Sequence, residues 1–240
     1  MSTNAKPAPG ALRWRRFGAA TGLFFVVATM VGNEMADSGN ASGDSAATAL
    51  ANIRRTQSLT NHLGLWLEIL GFVAFMWFAG YLYRVLRRAE GPQGWLAAAA
   101  LIAAAADLGV KLGSGAALVA ANYHPAELTP DLARLLVNLN DAAFIVAGLT
   151  MAAFAATVAA SAYATRSLPR PLAWIGLVIG VLGLATPILG FTDPNNYNPL
   201  PYLVALLWIA AVSIARIIVD ARSGRAVQSH QETVAVGAAQ

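Results

Sequence analysis

Cysteine is absent from all 240 residues, and charge is scarce: aspartate, glutamate, lysine and arginine together make up 12%. The missing thiols exclude disulfides, thiolate catalysis and cysteine-held metal. Histidine is thin as well. His62, His124 and His230 stand singly and far apart, which argues against a histidine metal site, and no cofactor is expected. A soluble domain of this length carries about twice the charged fraction found here. Strand-type alternation of apolar and polar residues is also missing, as are a phosphate-binding glycine loop and a helical His-Glu-x-x-His motif.

What remains is 57% hydrophobic. The apolar residues fall into runs near the roughly 20 that a helix needs to cross about 30 Å of hydrocarbon. Spans are expected at about 17–36, 63–83, 95–121, 142–163, 172–191 and 200–219. The fold class is therefore all-α, a polytopic membrane bundle of six transmembrane helices. A pI near 9.8 invites a nucleic-acid reading. The basic residues sit at span ends and make no continuous stripe, so no nucleic acid is expected and the lipid bilayer is the partner.

The arginines and lysines set orientation. Lys6, Arg13, Arg15, Arg16, then Arg84, Arg87, Arg88, then Arg166, Arg170, then Arg216, Arg222, Arg225 alternate loops, twelve of the sixteen on one side. Arg54, Arg55 and Arg134 lie on the other, and Lys111 lies within a span. Basic residues are retained on the cytoplasmic face, so both termini are expected inside (N-in/C-in). Span one is expected to stay as an anchor: cleavage after Ala36 would put Glu34 where a small residue is required.

The chain divides into a disordered cytoplasmic segment 1–12, a transmembrane domain 13–220 and a cytoplasmic tail 221–240. In the long outer loop, Ala47, Leu50 and Arg54 share a helical face and suggest a short helix on the membrane surface. Thr129-Pro130-Asp131 reads as a helix start, with Thr129 as N-cap and Pro130 at the first position. Pro187 should kink span five near its outer end. Residues 193–199 read as a rigid polar outer turn. Trp14, Trp95 and Trp174 are placed as interfacial anchors. Gly18/Gly22, Gly109/Gly113 and Gly176/Gly180 have the spacing that lets membrane helices approach closely, and alanine-rich span four is expected at the centre.

A few charges fall inside the spans, where they are costly and turn toward the bundle interior. At 1.5 Å per residue, Glu68 lies ~24 Å above Arg84, Asp107 ~18 Å and Lys111 ~24 Å above Trp95. Glu34 lies ~27 Å above Arg16, and Asp141 ~33 Å above Tyr163. Asp107 and Lys111 are four apart, in the better order for an ion pair. Glu68, Asp107, Lys111, Glu34 and Asp141 thus form a candidate ligand or proton pocket in the outer half, with Lys111 as its positive centre. The competing reading is structural, Lys111 neutralising Asp107. Asn138 and Tyr202 fall at similar depth. Ser114, three after Lys111, admits a Ser–Lys dyad, but no base-orienting partner is evident and no enzyme is expected.

Three stretches carry a resemblance. Residues 81–91 (YLYRVLRRAEG) end span two, Leu139-Asn140-Asp141-Ala142-Ala143-Phe144 opens span four, and Leu168-Pro169-Arg170-Pro171 with Leu172 to Gly176 leads into span five. Their order resembles a family of small multi-span bacterial integral membrane proteins, frequent in actinobacteria and known only as a domain of unknown function. The likeness covers about residues 13–220. Members more often carry tryptophan after the Leu-Pro-Arg step, where Pro171 stands here. The resemblance implies a multi-pass protein of the bacterial plasma (inner) membrane and transfers no catalytic residue or cofactor. Two functions remain open. One is binding or moving a small solute, proton or lipid head group through an outward-facing polar pocket. The other is a structural or regulatory role without transport, with a protein partner engaged through the cytoplasmic tail.

Overall fold

The computed structural model describes residues 9–36, 39, 44–92, 94–123, 125–191 and 197–238. In chain order its helices are α1 (Pro9–Ala36), α2 (Ala46–Arg55), α3 (Leu59–Glu90) and α4 (Leu96–Tyr123), followed by α5 (Pro130–Thr165), α6 (Arg170–Ala185), α7 (Pro187–Gly190) and α8 (Leu200–Ala238). No strand occurs among the described residues. Five helices are long and apolar enough to cross a membrane: α1 from Trp14, α3, α4, α5, and α8 as far as Arg222. The sixth apolar stretch is shorter. α6 has 16 residues, stops at Thr186 and resumes as α7 at Pro187, where the ring removes a backbone donor. The helix is interrupted at Pro187, the place where a kink was expected.

Local chemistry sets several ends. Thr129 accepts from the Leu132 amide at 3.3 Å and Pro130 opens α5, as the residues suggested. α3 ends where Gly91 takes a φ of 78°, a conformation that favours glycine. The Arg87 guanidinium then donates to the Gly91 and Pro92 carbonyls and closes that turn. α1 begins at Pro9, so the last four residues of the segment expected to be disordered are helical; residues 1–8 lie outside the described part. α8 likewise runs on as helix to Ala238, through most of the expected tail. Of the outer turn at 193–199, residues 193–196 lie outside the described part, and Asn198 Oδ1 accepts the Leu200 amide at 2.9 Å.

Around the bundle, α1 packs on α3 and α8, α4 on α3 and α5, and α6 on α5 and α8. α5 also reaches α2, α3 and α8, and is the central helix expected of its alanines. The core is aromatic: Phe25 stacks on Phe75 at 4.6 Å and Phe154 meets Phe75 edge-on at 5.3 Å, tying α1, α3 and α5 together. In hydrocarbon such close van der Waals contact replaces the hydrophobic effect as the cohesive force. Large apolar side chains such as Ile102, Trp66 and Val181 stand exposed on the outside, as lipid-facing residues do.

Two expectations need correction. Gly18, Gly22, Gly176 and Gly180 do sit at tight contacts, Gly180 against the Ala156 backbone. Gly109 and Gly113 do not: a Cβ there would meet nothing within 4 Å. On α2, Ala47, Leu50 and Arg54 do not share one environment: Ala47 and Arg54 are exposed, whereas Leu50 is buried. Ala49, Leu50 and Ile53 are its buried face, packed on Ala121, Ala133 and Val137 near the C-terminal end of α4 and the N-terminal end of α5. Arg54 instead donates to the Pro125 carbonyl at 3.1 Å. The docked face wins because it buries three apolar side chains against protein.

Candidate functional site

Asp107 and Lys111 stand one turn apart on α4, in a segment whose other residues are mostly alanine, leucine and glycine. Asp107 is fully buried. The Thr150 hydroxyl of α5 lies 2.9 Å from its Oδ1, while Oδ2 has no hydrogen-bond partner. Lys111 Nζ lies 4.9 Å from the ring centre of Phe144 and 5.8 Å from those of Phe72 and Tyr202. Each such contact is worth about 0.5–2 kcal/mol, against roughly 2.5–3.5 kcal/mol for a lysine at mid-membrane. Three rings therefore offset much of the cost of taking this ammonium out of water.

The expected Asp107–Lys111 pair is not made. Among the described residues no ion pair joins Lys111 to Asp107 or Glu68. The reason is geometric: the ammonium is drawn onto the rings of α3, α5 and α8 rather than back along its own helix. Lys111 still acts through space on both acids. Glu68 and Lys111, level with each other on α3 and α4, line one cavity of about 340 Å³. Leu65, Ile69, Leu118 and Val119 form its apolar wall, and Ser114 and Asn140 complete its polar side. It extends along α4 to Tyr123, that is, toward the helix end opposite Trp95.

The other candidates separate. Glu34 is exposed on the last turn of α1, and Asp141 is half-buried beside Asn140; neither lines the cavity. Asn138 is exposed, and Asn140 takes the place expected for it. The Ser114 hydroxyl donates to the Lys111 carbonyl at 3.1 Å, which spends its hydrogen on the helix rather than on Nζ. Tyr202 is buried with an unpartnered hydroxyl. Tyr197, in the loop before α8, sets its ring edge-on to Phe144 at 5.7 Å, and burial pushes its hydroxyl up to about 12. Among the described residues no group of acids and histidines is placed to hold a metal ion.

Phe72 and Phe144 carry no sequence signal that separates them from ordinary core aromatics, so the ring cage was not legible. Asp220 is the other residue missed. It is fully buried near the arginine-bearing ends of the helices. Arg15 donates to its Oδ1 at 2.8 Å, Arg216 to the same oxygen at 3.4 Å and Tyr81 to Oδ2 at 2.8 Å. The one available signal was an acid four after Arg216 on an apolar helix.

The model of a family described as "Domain of unknown function (DUF4386)" matches residues 19–219. The chain belongs to the DUF4386 family. The match covers most of the chain, takes in all or most of each of the five helices of membrane-crossing length, and agrees with the resemblance carried by the loop motifs. This DUF4386 protein is accordingly a multi-pass membrane protein. No curated protein and no solved structure matches it.

Proposed function

We propose that this DUF4386 protein binds, and passes along its outer half, a small solute that joins an anionic group to an apolar body. It does so in the cavity between α3 and α4. The observation that carries the reading is Lys111: an ammonium on three ring faces, in contact with no carboxylate, facing a mostly apolar cavity beside Glu68. A ligand carboxylate or phosphate would supply the missing counter-charge, and Leu65, Ile69 and Val119 would take its apolar part. Glu68 adds room for a cationic group on the same ligand. Asp107, Glu34 and Asp141 are subsidiary: Asp107 tunes the field at Lys111 from below, and the other two serve the outer rim.

The frame for this reading is six spans with both termini inside, α6 and α7 together forming the fifth, in the bacterial plasma membrane. The arginine alternation supports it. The test uses the purified chain in lipid nanodiscs with octanoate, leucine and octylammonium as probes. A hundredfold excess over Kd should stabilise the fold by about 2.7 kcal/mol for an anionic or zwitterionic probe. Octylammonium should not stabilise it, and Lys111→Met should remove the effect. Stabilisation that survives Lys111→Met, or none with any of the three, rejects the pocket.

The second reading is a partner protein without transport, and the observation favouring it is α8, one helix from Leu200 to Ala238. At 39 residues it spans ~58 Å, well beyond the hydrocarbon, and would offer a helical cytoplasmic arm. Under this reading Lys111→Met changes stability alone, and deleting residues 223–240 loses a co-purifying protein.

A further inference from the structure

Away from the Lys111 cavity, the arginine-bearing ends of α1 and α3 frame a larger groove of about 860 Å³. Its long wall is a stripe on α3: Met76 and Trp77, then Gly80 and Tyr81, then Arg84, then Arg88. Residues four apart on a helix share a face, so the stripe is continuous over 12 residues, ~18 Å. It is apolar at one end and basic at the other. α1 supplies the facing wall with Phe17, Trp14 and Arg15. Phe17 packs on Trp77 at 5.5 Å and on Trp14 at 5.9 Å, an aromatic group of the kind found at head-group depth.

The charges at the basic end are unbalanced. Arg84 and Arg88 are exposed, and no carboxylate pairs with either among the described residues. Arg15 gives one nitrogen to buried Asp220, yet 35% of its side chain is still exposed. Gly80 leaves the middle of the groove open, since a Cβ there would meet nothing within 4 Å.

We propose that this groove binds an anionic phospholipid. Arg84 and Arg88 hold its phosphate, Arg15 adds a third positive charge, and an acyl chain runs over Gly80 along Trp77 and Met76 toward mid-membrane. Charge and shape favour this occupant together: a soluble anion would use only the rim, and a neutral lipid only the apolar wall. Basic side chains at a head-group level attract acidic lipids additively, so the two free arginines should decide the selectivity.

The experiment is native mass spectrometry of the full chain released from mixed micelles with dioleoylphosphatidylglycerol or dioleoylphosphatidylcholine. The wild type should retain one phosphatidylglycerol in preference to phosphatidylcholine. Arg84→Gln with Arg88→Gln should weaken that retention by about tenfold or more. Gly80→Leu, which fills open space and leaves packing intact, should abolish it. Lys111→Met should leave it unchanged, so this site and the α3–α4 cavity stand or fall separately. Equal retention of the two lipids would overturn the proposal, as would phosphatidylglycerol binding unaffected by the double substitution.

Discussion

Asp220 carries the heaviest single-residue burden. Three helices send donors to its carboxylate: Arg15 from α1, Tyr81 from α3 and Arg216 from α8 itself. Arg216 also donates to the Ser167 carbonyl at 3.3 Å, which brings in the α5–α6 turn. A buried charge held this way contributes little net stability over an apolar substitute, yet removing one member leaves the others uncompensated. Asp220→Ala should therefore cost about 3–5 kcal/mol in a denaturation series in detergent. Tyr81→Phe, which removes the donor to Asp220 and the acceptor of Arg216 Nε at 3.2 Å, should cost about 1.5–3 kcal/mol. A loss under 1 kcal/mol for Asp220→Ala would mean that the arginines find water instead. Lys111 differs in kind, since rings rather than a carboxylate receive it. Glu90, at the end of α3, resembles Asp107: the Ser161 hydroxyl donates to one oxygen, and the other has no partner.

Helix contacts divide the glycines by use rather than by spacing. At Gly180 a Cβ would stand 2.9 Å from Ala156 Cα and 3.1 Å from its nitrogen, so backbone would have to move. Gly180→Ala should destabilise the bundle by roughly 1–3 kcal/mol, the usual effect of overpacking. At Gly113 there is open space, and Gly113→Ala should be neutral or stabilise by up to about 1 kcal/mol through helix propensity. Melting the two variants side by side checks both signs. α2 teaches a related lesson. Its helix was legible, with Ser45 accepting the Thr48 amide at 3.1 Å, but of the face expected from Ala47, Leu50 and Arg54 only Leu50 is buried, together with Ala49 and Ile53. Only the docked neighbours Ala121, Ala133 and Val137 choose among them.

For the molecule as a whole, orientation is the first thing to test. With both termini inside, a reporter active only in the periplasm should work when fused after residue 45 and fail when fused after Gly91. Equal activity at the two points would break the proposed topology, and with it the cytoplasmic placing of the lipid groove. The α3–α4 cavity would survive that result, because its geometry does not depend on which face is outside.

Element type, the ends at Thr129, Gly91 and Pro187, and the alternation of arginines could all be read along the chain. Each depends on residues within a turn or two of one another, or on how a run of about 20 residues partitions into lipid. The depth matching of Glu68 with Lys111 was legible for the same reason, since helical rise is constant. Which groups actually meet was decided by packing. Arg15 and Asp220 are 205 residues apart and Tyr81 and Asp220 are 139 apart, and no local pattern pairs them. Lys111 turned to three rings from three other helices, because a helix rotation of a few tens of degrees changes a side chain's neighbours while leaving its depth untouched.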